Sequence, residues 1–185
     1  MLRRYAFPLA CAIVLALPAL PVPEFWITQL NYVGMYALPA LGLVLLTGVA
    51  GLTSFGQAAF VGVGAYTSAW LTTALHVSPW LTLFAGLALA IVVALVLGLV
   101  TLRMSGHYLP LATIAWALSL YYTMGNMEFL GKYDGILGIP ALEIAGVSLA
   151  GARSLYVLIW AIALAAGVGI VRLLDSRTGR AIRAH

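Results

Sequence analysis

Between Glu24 and Glu128 the chain carries no acidic residue, and Arg103 is the only basic one. A stretch of about 100 residues with one formal charge cannot be the surface of a water-soluble domain, in which about a quarter of all residues are charged and nearly all of those lie outside. The whole sequence agrees: 64% of its 185 residues are hydrophobic and 8% charged, more apolar material than a 19.5 kDa globule can bury. A lipid bilayer is the solvent that fits. A backbone inside lipid must satisfy its own hydrogen bonds, and apolar runs near 20 residues do so as helices.

Taken in order, Met1-Leu-Arg-Arg4 and the apolar run Tyr5 to Val22 read as a first transmembrane helix ended by Pro18, Pro21 and Pro23. A cleaved signal peptide is the alternative. A lipoprotein reading of Leu9-Ala10-Cys11 is disfavoured by Pro8, which stands where Leu is wanted. Pro23 to Gln29 reads as a short interfacial turn with Phe25 and Trp26 at headgroup depth. Leu30 to Ala50 is the second span, and Pro39 within it is expected to kink it or loosen a turn. Further spans are predicted over Ala58 to Leu75, Trp80 to Leu102, Tyr108 to Met124 and Ser154 to Leu174. The fold class is therefore all-α: a polytopic transmembrane bundle of about six spans, one domain over residues 1–185.

Residues 126–153, with Glu128, Lys132, Asp134, Glu143 and Arg153, form a polar loop too charged for lipid. Asp134-Gly135 and Gly138-Ile-Pro140 mark turns within it. Alternating the crossings from a cytoplasmic N-terminus puts Arg3, Arg4, Arg103, Arg172, Arg177, Arg180 and Arg183 inside, and Lys132 and Arg153 outside. Seven basic residues against two support this orientation. Loop 126–153 is then extracytoplasmic and the tail 175–185 cytoplasmic.

The net charge of +4 is not a nucleic-acid footprint, because the basic residues are scattered among segment ends. One cysteine, Cys11, excludes a disulfide framework, and the three histidines and five acids show no metal-ligand spacing. No cofactor is expected.

The stretch Gly51 to Tyr66 differs from the greasy segments on either side: it is glycine-rich, uncharged, and holds Thr53, Ser54 and Gln57. Gly51-x4-Gly56 opens like a phosphate-binding loop, but Gln57 and Ala58 stand where Lys and Ser or Thr are required. Gly62-x-Gly64-x-x-Thr67 lacks the third glycine of a dinucleotide fingerprint, and no acid follows to hold a ribose. Ser54 with His107 is the one pair a serine hydrolase could use, and no motif sets either in a catalytic context. Two readings remain. Ser54, Ala58 and Gly62 recur every four residues and could make a close helix–helix contact. Alternatively, Thr53, Ser54 and Gln57 line a translocation path near a broken helix. Thr53, Ser54, Gln57, Ala58, Gly62 and Gly64 are the candidate residues for path or contact. In the tail, Arg177, Arg180 and Arg183 form a basic stripe, either an anchor on anionic headgroups or a docking surface for a cytoplasmic partner, with Gly179 allowing close approach.

Three blocks resemble the LivM-type permease subunit of branched-chain amino acid ABC importers: Gly51 to Tyr66, Leu102-Arg-Met-Ser-Gly-His-Tyr108, and Ser176 to Ala184. The resemblance spans roughly residues 30 to 184. It implies a multi-pass subunit of the bacterial inner membrane, not an enzyme. Its implied partners are a homologous permease subunit, two cytoplasmic ATPase subunits and a periplasmic substrate-binding protein. It also implies that Arg177, Gly179, Arg180 and Arg183 couple to the ATPases. Members of that family continue with further helices, so a chain ending at His185 is expected to be an incomplete permease half. A permease for a sugar, urea or amide, and a non-transporting membrane scaffold, are the alternatives.

Overall fold

The computed structural model describes residues 11–101, 103–104, 108–144, 146–176 and 179. The first residues of the N-terminal span, the block Ser105-Gly-His107 and the tail arginines Arg177, Arg180 and Arg183 lie outside them. The architecture is helical, as its apolar runs require. Helix α1 occupies residues 11–16 and passes through a 3-10 turn at Leu17–Ala19. Then come α2 (Glu24–Leu43), a π-helical turn (Val44–Val49), α3 (Gln57–Ala74), α4 (Pro79–Thr101), α5 (Tyr108–Asn126) and α6 (Ala152–Asp175). Between α5 and α6 lie 3-10 turns at Glu128–Leu130 and Lys132–Asp134 and an antiparallel hairpin, β1 (Glu143–Ile144) with β2 (Val147–Ser148).

Burial is inverted relative to a water-soluble protein. Helix α4 hides Thr82, Gly86 and Thr101 and exposes Leu81, Phe84, Leu95 and Leu99. Asn31, Ser54, Thr72, Thr82 and Thr101 are all buried. Lipid tails offer large apolar side chains nothing to flee, so close packing falls to small residues and hydrogen-bonding hydroxyls. Among the described residues three helical segments are long and apolar enough to cross a membrane: Glu24–Val49, Pro79–Thr101 and Ala152–Asp175. Helices α3 and α5 are diluted by Gly, Ser, Thr and Tyr.

The chain forms two compact units, residues 46–142 and residues 1–45 with 143–185. In the latter, α2 and α6 run parallel. The Asn31 amide, well inside α2, donates to the Ala152 carbonyl at the start of α6 at 2.9 Å. Gly34 admits α6 so closely that a Cβ there would stand 2.7 Å from Ile159 Cγ2. The buried Tyr156 hydroxyl donates to the Val14 carbonyl at 2.9 Å. The Arg153 guanidinium donates to the carbonyls of Pro18 (2.7 Å), Leu20 (3.4 Å) and Val22 (2.9 Å). The guanidinium thus gathers the main-chain carbonyls of the segment that follows α1, of which Leu20 also accepts from the Val22 N–H at 2.7 Å.

Two local expectations change. Residues Glu24 to Gln29 are helical, not an interfacial turn, because Pro23 caps α2 and Glu24 sits favourably in its first turn. Helix α2 passes through Pro39 to Leu43, and the loosened turn follows as the π-helix Val44–Val49.

In the unit of residues 46–142, α3 and α4 form an antiparallel pair. His76 closes the connection with a positive φ of 51°, and the Val77 N–H donates to the Leu71 carbonyl. Gly64 and Gly86 face each other: a Cβ on Gly86 would lie 2.7 Å from the Gly64 carbonyl oxygen and 2.6 Å from Ser68 Oγ. Beyond them, Ser68 Oγ donates to the Thr82 carbonyl (3.0 Å), and Thr72 and Thr82 share a hydroxyl contact of 2.9 Å. Helix α5 lies along α3 in the same direction. The Phe55 N–H beside the start of α3 donates to Thr113 Oγ1 near the start of α5, and at the other end Trp70 in the last part of α3 meets Phe129 just past α5.

Candidate functional site

The break before α3 is built by two glycines. Gly51 takes φ +67°, a left-handed value that suits glycine, and the Leu52 N–H reaches back to the Leu46 carbonyl at 2.9 Å. Residues 51–56 are non-helical, and Gly56 is the N-cap of α3. Within the break Ser54 is buried, its Oγ accepting from the Gly56 N–H at 3.3 Å. The Thr113 hydroxyl donates to the Pro110 carbonyl while accepting from Phe55, and so ties the break to α5.

This segment walls a cavity of about 400 Å³. Leu46, Leu52, Phe60, Leu97, Leu109 and Trp116 supply most of its surface, and Ser54, Gln57, Thr101 and Thr113 its polar side chains. No ionisable group lines it. Thr101, buried, donates to the Leu97 carbonyl at 2.7 Å, so its proton is committed, as is that of Thr113, whereas the Ser54 hydroxyl accepts from Gly56 and keeps its own proton for another acceptor. Gln57 makes no side-chain hydrogen bond to another described residue, leaving its amide able both to donate and to accept. A small, largely apolar solute fits such a chamber, and a buried lone charge does not.

A second cavity of about 210 Å³ lies further along α3 and α5. It is lined by Ala58, Gly62, Tyr66, Leu120, Tyr121 and Met124, with Tyr133 and Lys132 at the end beyond α5. Tyr133 packs so tightly on Gly125 that a Cβ there would lie 2.5 Å from its ring. The ring is positioned by the turns after α5: Leu130 is buried, Gly131 and Lys132 both have positive φ, and the Lys132 N–H donates to the Met127 carbonyl. Lys132 Nζ pairs with Glu128 at 2.8 Å on the exposed side.

The structure thus distributes the candidate residues. Ser54 and Gln57 line the first cavity, Ala58 and Gly62 the second, and Gly64 meets α4. Thr53 is exposed and lines neither. Ser54 precedes the helix, so it does not share a helical face with Ala58 and Gly62. Gly179 approaches its own chain: a Cβ would collide with the Leu173 carbonyl and with Leu174, and the Gly179 N–H donates to Ser176 Oγ at 3.2 Å. Thr101, Thr113, Phe60 and Trp116 were missed. Thr101 left a signal, as the polar residue ending an otherwise apolar span, whereas Thr113 became visible only through its contact with Phe55. Among the described residues no cluster of His, Cys, Asp or Glu could hold a metal ion.

A model of the family described as branched-chain amino acid transport system / permease component matches residues 26–185. The high-affinity branched-chain amino acid transport system permease protein LivM of Escherichia coli strain K12 is 32% identical over 115 residues. That match covers 61% of this chain and 27% of the relative. The protein of the same name from Salmonella typhimurium strain LT2 matches to the same extent. The chain thus aligns with little more than a quarter of the curated relatives it resembles. No solved structure matches it.

Proposed function

Because the chain belongs to the family of branched-chain amino acid transport system permease components, we propose that it is the permease subunit, or part of one, of an ATP-driven importer for branched-chain amino acids. It sits in the bacterial inner membrane with six crossings and both termini cytoplasmic. It pairs with a homologous permease, takes substrate from a periplasmic binding protein, and is driven by two cytoplasmic ATPase subunits.

The observation that carries this reading is the uncharged cavity of about 400 Å³ at the break before α3. An aliphatic side chain gains from apolar walls, roughly 25 cal/mol per Å² removed from water. Ser54 and Gln57 lie on the path, with Ala58 and Gly62 beyond them and Gly64 holding α3 close to α4. Thr53 belongs to the same break. The chain's own part in transport is to provide a shaped, charge-free wall that the substrate passes without being held tightly. Its single lysine, Lys132, lies outside the Gly-rich stretch, so ATP hydrolysis falls to the partners. Uptake of labelled leucine should fall to background in cells lacking this subunit and keeping the other components. Undiminished uptake would sink the assignment.

The tail docks on the ATPases through Arg177, Arg180 and Arg183, with Gly179 turning the chain back at the end of α6. Arg180→Glu with Arg183→Glu should abolish co-purification of the ATPases while leaving membrane insertion intact. Normal co-purification would return the tail to a lipid anchor.

A further inference from the structure

Two buried polar atoms in the seam between α2 and α6 have no hydrogen-bond partner among the described residues: Asn31 Oδ1 and Trp160 Nε1. The first is an acceptor and the second a donor. The orientation of the Asn31 amide is settled, because only its nitrogen can donate to the Ala152 carbonyl. Both atoms face the same stretch of the seam. The indole lies over Gly34, with Nε1 3.2 Å from where a Cβ there would stand, and Asn31 precedes Gly34 by three residues on the buried face of α2.

Water serves neither atom, since both are buried beyond its reach. The nearby Tyr156 hydroxyl gives its proton to the Val14 carbonyl, so it does not donate to Asn31. Groups of this kind are costly to leave unpaired inside a bilayer. An orphaned donor and an orphaned acceptor within about one turn of each other are complementary, and each is the partner the other lacks. We propose that the α2–α6 seam has two registers. One is the arrangement described above, with Asn31 bound to Ala152. The other is reached by a displacement along the seam shorter than one turn, about 5.4 Å, and in it Asn31 Oδ1 accepts from the Trp160 N–H.

The two registers balance closely. The first keeps the Asn31–Ala152 bond and leaves two groups unpaired, whereas the second pairs those groups and loosens that bond. A small difference of this kind is what a partner can tip. Gly34 makes the movement feasible, because it offers the indole a surface without a side chain to climb over. Helix α6 then carries the displacement away from the seam: it runs unbroken from Ala152 to Asp175, where the tail begins. The pair therefore couples the seam to the ATPases. This inference rests on the reading of the tail as their dock, and it adds the element that moves and the contact that holds each position.

The test reads the Trp160 indole in the complete importer reconstituted in lipid, by ultraviolet resonance Raman spectroscopy, in which the indole N–H band shifts on hydrogen bonding. Subtracting the spectrum of Trp160→Phe isolates this residue from the other tryptophans. Without nucleotide the N–H should be unbonded. Trapped with ATP and vanadate, it should be hydrogen-bonded, and Asn31→Leu should abolish that change. Trp160→Phe keeps a ring in the seam and the Asn31–Ala152 bond, so it should leave co-purification of the ATPases intact and slow leucine uptake at least 3-fold. An N–H band unchanged between the two states would overturn the switch, as would a bonded band that persists in Asn31→Leu or normal uptake by Trp160→Phe. Should Asn31→Leu fail to assemble, the comparison of the two states in the unsubstituted protein still decides. The docking reading fails separately, through normal co-purification of the ATPases with the Arg180→Glu and Arg183→Glu tail.

Discussion

Gly86 and Gly34 both allow a neighbouring helix to come close, yet they should respond differently to a methyl group. At Gly86 the added Cβ would meet the main-chain carbonyl of Gly64 at 2.7 Å, which can yield only if α3 and α4 separate. At Gly34 it would meet side-chain atoms only, Ile159 Cγ2 at 2.7 Å and the Trp160 indole at 3.2 Å. These can give way without moving the main chain, although the β-branched Ile159 does so only by leaving its preferred rotamer. Gly86→Ala should therefore cost about 1–3 kcal/mol, the usual range for overpacking, and Gly34→Ala less. Gly167 has nothing within 4 Å, so Gly167→Ala should be neutral or stabilising by up to about 1 kcal/mol. Thermal unfolding of the three purified variants in detergent would rank them, and equal losses at Gly86 and Gly34 would refute the distinction. The sequence signalled only half of this contact. Gly64 lies in a visibly glycine-rich run, whereas Gly86 is hidden in a span of Leu, Ala and Val whose composition does not reveal which face is inward.

At the scale of elements, the hydroxyl cluster between α3 and α4 holds more contacts than protons. Thr72 reaches the Ser68 carbonyl, Thr82 the Pro79 carbonyl, and the two hydroxyls also meet at 2.9 Å. Two protons cannot serve three such contacts, so one is made at the expense of another. Thr82→Val should then cost only about 0.6 kcal/mol, the average for such bonds in membranes, and a double-mutant cycle with Thr72→Val should give a coupling of that size. The break before α3 is more sensitive. Gly51→Ala meets no steric neighbour but forces a side chain into φ +67°, costing about 1–2 kcal/mol and weakening the wall of the first cavity. A loss of substrate affinity beyond the loss of stability would show that the break shapes the chamber. Helix existence was legible here because a bilayer leaves an apolar run few alternatives. The widened turn after Pro39 was legible in kind but not in place, since a proline announces a lost donor and not how the backbone redistributes the strain. The hairpin at Glu143–Ile144 and Val147–Ser148 escaped notice because two-residue strands are too short for alternation to register.

For the molecule as a whole, side of exposure is the decisive measurement. The distribution of arginines predicts that residue 103 is cytoplasmic and the loop around residue 137 is not. In a Cys11→Ser background, Leu137→Cys, whose native side chain is 84% exposed, should label with an impermeant maleimide on intact spheroplasts. Arg103→Cys should label only after permeabilisation. Labelling of both from one side would refute the alternation of crossings. The bilayer itself was the most legible part of this protein, since one arginine in about 100 residues leaves no other solvent. The chambers were not, because their walls combine residues from α3, α4 and α5 that no spacing rule connects. Of the polar residues that stand out in the Gly-rich stretch, Ser54 and Gln57 line the first cavity and Thr53 does not.

Arg153 and Tyr156 bind residues 14–22 entirely through main-chain carbonyls. Such an anchor is blind to side chains and strict about spacing. The exposed apolar residues of that stretch, Leu15 and Leu20, are therefore free to vary, whereas inserting or deleting one residue between Val14 and Pro18 would set the carbonyl that meets Tyr156 out of register with the three that meet Arg153.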